Sequence, residues 1–305
     1  MPTFADRLAS AVQQKKTPAL VGLDPRLAHL PEGLRQGIDE ANLGQVAEAF
    51  RMFCCGVIDA VAPLVPAVKP QAAFFERLGP PGMQVLWDVV GYARENQLQV
   101  VLDAKRNDIG STAAGYADAY LGESSAWRCD ALTVSPYLGD DSLTPFVDVA
   151  VERDAGIFVL VKTSNPGGGL FQDLVADEKP VYEHVARHVE HLAEQSVSRS
   201  GYGAVGAVVG ATYAEQLSVL RAALPHSWLL VPGFGAQGGS AKDVAGGFDE
   251  RGLGAIINSS RAVIFAHERP EFQEFGSARW QDAVYEAARQ MIDQLRSETP
   301  AGRLG

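Results

Sequence analysis

Eight short apolar runs, each ending in small or polar residues, limit what this 305-residue chain can fold into more than any other feature of it. They are Ala19–Asp24, Ala67–Gln71, Val100–Lys105, Ala131–Pro136, Gly156–Ser164, Ala204–Thr212, Trp228–Gly235 and Gly254–Ser260. Short runs of this kind, rich in β-branched residues and lacking a polar face, read as strands covered on both sides. Between most of them lie stretches with apolar residues at helical spacing. Gln45–Ala62 shows it through Val46, Phe50, Phe53, Val57, Ile58 and Val61; Met83–Asn96, Thr112–Gly122, Tyr182–Arg199 and Ala214–Ala223 read similarly. Strands that alternate with helices pair in parallel, and eight is the number that closes a (β/α)8 barrel. The expected fold is therefore α/β, a single (β/α)8 TIM barrel spanning residues 1–305, with a doubly wound open sheet as the alternative.

The pattern is continuous and shows no internal domain boundary. Pro25–Leu43 is polar and irregular, with room for a short helix; Asn165–Gly169 reads as a flexible loop after the fifth strand; the polar end, residues 297–305, is expected to fray. A hydrophobic content of 47% suffices for a substantial core. The net charge of −11 argues against general nucleic-acid binding, which needs a positive field, but leaves room for a small anion in a locally positive pocket. Cys54, Cys55 and Cys129 make no disulfide framework and read as free thiols of a reducing compartment. The first residues carry charges where a signal peptide needs an apolar run, and no stretch is apolar enough to span a bilayer. A soluble cytoplasmic protein is expected.

In such a barrel the active site lies at the C-terminal ends of the strands, and these ends carry the chemistry. The third run is the most informative. Val100, Val101 and Leu102 form a buried strand that ends in Asp103-Ala104-Lys105, with Asp108 just beyond. Alternation points Val101, Asp103 and Lys105 the same way, and Lys69 ends the second run. Buried ions cost several kcal/mol unless paired, so alternating cations and anions here suggest a preorganised electrostatic site with a lysine proton donor. A solvated salt-bridge cluster, a Mg²⁺ site at Asp103 and Asp108, or a Schiff-base lysine at Lys69, Lys105 or Lys162 are the other readings. Neighbouring lysines oppose the metal, and raised lysine pKa values oppose the Schiff base. The seventh and eighth ends, Pro232–Gly239 and Arg261, combine a glycine-rich turn with an arginine, which is how phosphate is often held in these barrels. Ser135 and Thr163 bind a ligand or cap a helix; Phe74 and Phe75 read as packing. His29, His184, His188, His191, His226 and His267 fall away from the strand ends, and no nucleophile elbow, zinc spacing or Walker loop is present.

The segment Asp103-Ala104-Lys105-Arg106-Asn107-Asp108-Ile109-Gly110-Ser111-Thr112 resembles the Asp-x-Lys-x-x-Asp signature of the orotidine 5′-phosphate decarboxylases. Gly22–Pro25, Val68–Pro70, Val208–Thr212, Pro232–Gly238 and Ser259–Arg261 are similar, in order, to that family's other site segments, and the length resembles its larger bacterial branch. The resemblance implies decarboxylation of orotidine 5′-monophosphate to uridine 5′-monophosphate in pyrimidine biosynthesis, without metal or organic cofactor. It implies that Lys105 protonates C6, that Asp103 lies beside the substrate carboxylate, and that Lys69 holds Asp103 and contacts the ribose. Asp24 would bind the ribose and Ser135 the base. Pro232, Gly233, Gln237 and Arg261 would surround the 5′-phosphate. Asp108 and Thr112 would reach into the site of a second subunit, making a homodimer with shared sites. A Mg²⁺-dependent sugar-phosphate decarboxylase or aldolase on a related barrel shares the Asp-x-Lys-x-x-Asp core but wants an acid where Lys69 stands. A non-catalytic phosphate-binding barrel is the alternative from another class.

Overall fold

The structure is a computed structural model and describes residues 2–211, 214–235 and 239–305. Among these, eight parallel strands close into a barrel: β1 (Ala19–Leu23), β2 (Ala67–Pro70), β3 (Gln99–Arg106), β4 (Ala131–Val134), β5 (Gly156–Lys162), β6 (Val205–Val209), β7 (Leu229–Pro232) and β8 (Ala255–Ser259). Each pairs with its neighbours in sequence, and β1 closes on β8 with Ala19 opposite Ile257. Every strand coincides with one of the eight apolar runs, β3 extending one residue beyond its run at each end, and closure of β1 on β8 excludes the open sheet.

Alternation along the strands sorts their side chains into two cores. Leu20, Ala67, Val101, Phe158, Leu230 and Ile256 fill the lumen. The opposite set, with Val100, Leu102, Val134 and Ile157, packs outward beneath the helices. The helix α1 (Phe4–Lys15) plugs the N-terminal end of the lumen through Phe4, Leu8 and Val12, and Phe4 meets Phe158 edge-on at 6.0 Å. Gly156 makes that plug possible, because a Cβ there would lie 2.2 Å from the Phe4 ring. With one mouth sealed by apolar groups, the inward-facing charges collect at the other.

The outer layer comprises α2 (Leu43–Val61), α3 (Gly79–Glu95), α4 (Gly110–Tyr120), α5 (Asp140–Glu152), α6 (Val181–Glu194), α7 (Ala214–Ala223) and α8 (Trp280–Glu298). The spacing argument did not single out α1, α5 or α8. The buried faces of α1 and α8 are rich in alanine (Ala5 and Ala9; Ala283, Ala287 and Ala288), which marks an apolar stripe weakly, and α5 carries Pro145 inside it. The helix expected to reach Arg199 ends at Glu194: the Ser196 hydroxyl donates to the Ala193 carbonyl and accepts the Ala204 N–H, turning the chain toward β6. Pro25–Leu43 holds a 3-10 turn (Leu27–His29) and a single helical turn (Glu32–Arg35). Helical turns also stand where a loop was expected after β5, followed by a hairpin of Val175–Ala176 with Lys179–Pro180. The C-terminal segment expected to fray takes a regular form. Pro300–Leu304 forms a 3-10 turn behind the Thr299 cap, with Ala301 fully buried and Arg303 donating to the Glu250 carbonyl at 2.6 Å. The apolar Ala301 anchors an otherwise polar segment.

Candidate active site

At the open mouth, β2 brings Lys69 into register with Gly22 of β1, and the missing side chain at Gly22 leaves room for Ser260, whose Oγ a Cβ there would approach to 1.9 Å. Lys69 is 4% exposed and its Nζ lies 2.7 Å from Asp103 Oδ2. Gln71 Nε2 donates to the same oxygen at 3.0 Å. Lys105 Nζ reaches Oδ1 at 2.6 Å, and the Thr133 hydroxyl donates to Oδ1 at 3.0 Å. Four donors therefore converge on one buried carboxylate. Burial alone would raise the Asp103 pKa; the ammonium groups of Lys69 and Lys105 outweigh it and hold the carboxyl well below the usual range. Burial would likewise lower Lys69, but the carboxylates of Asp103 and Asp24 raise it on balance. A lysine held protonated this way is a poor Schiff-base nucleophile.

Alternation explains Asp103 but not Lys105. The β3–β4 register slips between Leu102 and Arg106, and Lys105 adopts a left-handed backbone at φ +48°. That conformation costs a residue with a Cβ about 1–2 kcal/mol. Thr133 holds it, because its Oγ1 accepts the N–H groups of both Ala104 (3.1 Å) and Lys105 (2.9 Å). The Lys105 side chain is 48% exposed, so its ammonium stands at the edge of the open cavity while bonded to a buried anion. Strain of this kind is characteristic of functional positions.

Two connected cavities share Lys69, Asp103 and Pro232. The larger, about 510 Å³, is walled by Lys105 and Thr133 and by Thr163, Ser164, Phe171 and Gln172 beyond β5. The smaller, about 160 Å³, is walled by Asp24, Gln71, Gly233, Asn258, Ser260 and Arg261. Asp24 Oδ1 and Asn258 Oδ1 are both buried there without a hydrogen bond from the described residues. Buried acceptors are normally satisfied, so this compartment suits a molecule with hydroxyl donors. Gly233 has φ +101° and Gly235 φ +78°, conformations favourable to glycine, beside the exposed Arg261, which pairs with no carboxylate among the described residues.

The mouth thus brings together Asp24, Lys69, Asp103, Lys105, Pro232, Gly233 and Arg261. Gln237 and Thr212 lie outside the described residues. Asp108, Thr112 and Ser135 are not on either cavity wall. Asp108 accepts the Ile109 N–H at 2.8 Å, and Thr112 is exposed on the first turn of α4. Ser135 extends the β3–β4 ladder through its N–H to the Arg106 carbonyl. The serine on the wall of the larger cavity is Ser164, two residues beyond β5. Among the described residues Asp103 and Asp108 form no metal-ligand cluster, and both Asp103 oxygens already face ammonium groups. None of the six histidines lines either cavity. Gln71, Thr133 and Asn258 were not read as site residues, although each continues the inward alternation of its strand, which was the available signal.

A sequence model of the Orotidine 5′-phosphate decarboxylase / HUMPS family matches residues 37–273. The chain belongs to this family. Its relatives match over nearly their full length: the orotidine 5′-phosphate decarboxylase of Rhodopirellula baltica is 58% identical over 97% of this chain and 100% of its own. That of Deinococcus radiodurans is 43% identical over 96% and 97%. Among solved structures, a putative orotidine 5′-phosphate decarboxylase from Streptomyces avermitilis superposes with TM-score 0.80 at 36% identity, covering 98% of this chain and 96% of that one. The Leishmania donovani OMP decarboxylase gives 0.75 at 32% identity, covering 97% and 98%. Within the orotidine 5′-phosphate decarboxylase / HUMPS family, the lysine at position 69 and the acid–lysine pair at 103 and 105 give this member its charged mouth. No helix among the described residues is long and apolar enough to cross a membrane.

Proposed function

We propose that this chain decarboxylates orotidine 5′-monophosphate to uridine 5′-monophosphate and CO₂, without metal or organic cofactor. The observation that carries the reading is the buried carboxylate of Asp103 held between Lys69 and Lys105, at 2.7 and 2.6 Å. Breaking the bond between C6 and the substrate carboxylate leaves an electron pair on a vinylic carbon with no ordinary electron sink. The protein must supply fixed positive charge and a nearby proton, and Lys105 offers both. Its Nζ–H protonates C6, CO₂ departs, and solvent reprotonates the amine. Asp103 would repel the substrate carboxylate more than the transition state, from which charge has moved toward C6.

The two orphaned acceptors Asp24 and Asn258 suit the ribose hydroxyls. Gly233, Gln237 and Arg261 take the phosphate; Ser164 rather than Ser135 takes the base. The phosphate is remote from the breaking bond, so its binding energy holds the ring against the charges. In this reading the enzyme is a homodimer in which Asp108 and Thr112 complete the partner's site. The three free thiols agree with a reducing cytoplasm.

The test follows the ultraviolet change on mixing protein with orotidine 5′-monophosphate, with and without EDTA. Turnover unaffected by EDTA is expected. Loss of turnover with chelator, or turnover only of a sugar phosphate with Mg²⁺, overturns the reading.

A further inference from the structure

A buried lysine outside the charged mouth has no part in the chemistry above. Lys162, the last residue of β5, is 1% exposed. Strand alternation would aim it into the lumen behind Phe158 and Leu160. The β5–β6 register shifts between Leu160 and Lys162 instead. Its ammonium lies 5.2 Å from the centre of the Tyr182 ring on α6 and is ion-paired with Asp173. Asp173 follows directly on the turn that carries Phe171 and Gln172, both on the wall of the larger cavity. Gln172 returns to the end of β5: its Oε1 accepts the Thr163 N–H at 3.0 Å and its Nε2 donates to Thr163 Oγ1 at 2.8 Å. Gly168 packs under this contact, and a Cβ there would lie 2.9 Å from Thr163 Oγ1. The wall is therefore fastened twice, by an ion pair from behind and an amide clasp from the front.

We propose that Lys162 is a positioning residue that sets the base-binding wall of the cavity, so that it governs recognition of the pyrimidine ring and not of the ribose phosphate. The inference rests on the nucleotide reading of the site. A buried ammonium is costly, and an apolar side chain would fill the same space. What the charge adds is a directional hold on Asp173, hence on Phe171 and Gln172. The phosphate end, at Gly233, Ser260 and Arg261, is built on β7 and β8 and shares none of these contacts.

Lys162→Met, Lys162→Arg and Asp173→Asn are compared with the wild type for KM and kcat on orotidine 5′-monophosphate. Calorimetric Kd values are measured for uridine 5′-monophosphate and for ribose 5-phosphate, which lacks the base. Losing a hydrogen bond between charged groups predicts that Lys162→Met weakens uridine 5′-monophosphate about tenfold or more. KM should rise with it while kcat stays within about twofold, as for uniform binding. Ribose 5-phosphate should bind as in the wild type, Asp173→Asn should shift the same quantities less, and Lys162→Arg should recover most of the loss. Unchanged uridine 5′-monophosphate affinity, or equal loss for both ligands, overturns the proposal. Asp173, half exposed, decides the matter by the same criteria if Lys162→Met does not fold. A wild type that binds ribose 5-phosphate but neither binds uridine 5′-monophosphate nor turns over its precursor overturns the nucleotide reading, and this inference with it.

Discussion

Replacing Lys69 with methionine tests the electrostatic account of the mouth most directly. Lys69→Met keeps the unbranched stem of the side chain and deletes its ammonium, leaving Asp103 buried with one cation fewer. Removing one partner of a buried pair typically costs about 3–5 kcal/mol, because the remaining charge stays desolvated. Here three donors remain on Asp103, namely Gln71, Thr133 and Lys105. The lower end, about 3 kcal/mol, is therefore expected. With an unfolding entropy of roughly 2.1 cal/mol/K per residue, 305 residues give about 0.64 kcal/mol/K, so Tm should fall by about 5 °C. The double variant Lys69→Met/Asp103→Leu should return to within about 1 kcal/mol of wild type, since an apolar pair can replace a buried ionic one. Lys105, with its side chain 48% exposed, then turns to water. Both variants should be inactive.

The pH dependence follows from the two shifts. The Asp103 carboxyl is depressed, so its contribution is present above the unfolded value of about 4 and lost as pH falls toward the folded one. Lys69 is raised, so its contribution is present below about 10.4 and lost as pH rises through the folded value. The stability gap between wild type and Lys69→Met should be flat from about pH 5 to 9 and narrow outside that window. Guanidinium unfolding followed by circular dichroism, with the slope checked for constancy, measures it. A loss below about 1 kcal/mol, or a double variant as unstable as the single one, would refute the desolvated network.

Arg261→Ala should lower kcat/KM at least about a hundredfold by steady-state assay, because two charge-assisted hydrogen bonds to phosphate are lost; near wild-type kcat/KM removes Arg261 from the phosphate site. Equal mixing of Lys105→Ala and Asp108→Ala subunits, refolded together, should recover about one quarter of wild-type activity if each site draws on both chains. Half the dimers are then mixed, with one intact site of two. No recovery sinks the shared site.

The architecture was legible because it follows from spacing. Runs such as Ala204–Thr212 and Gly254–Ser260 needed only apolar length and polar ends to be strands, and eight of them needed to close. Fraying of the polar end was argued from composition, which does not register that Ala301 is buried and that Arg303 donates to the distant Glu250 carbonyl. The three missed helices failed for a related reason: alanines such as Ala283, Ala287 and Ala288 count as core only once the surface they pack against is known.

The site divides along the same line. The sequence alone determined that carboxylate and ammonium groups sit at strand ends, since strand alternation and the cost of buried charge act locally. It marked Lys69, Asp103, Lys105 and Arg261 as chemistry-bearing without any knowledge of their contacts. Tertiary structure alone decided the rest. The slip in β3 gives Lys105 its left-handed backbone, and a hydroxyl from the next strand, Thr133, holds it there. Another slip, in β5, takes Lys162 away from the lumen and against Tyr182. Ser164 reaches the cavity wall and Ser135 does not. A register slip is set by pairing with a neighbouring strand, and the residue that stabilises it comes from that neighbour, so no reading confined to one stretch of chain contains it.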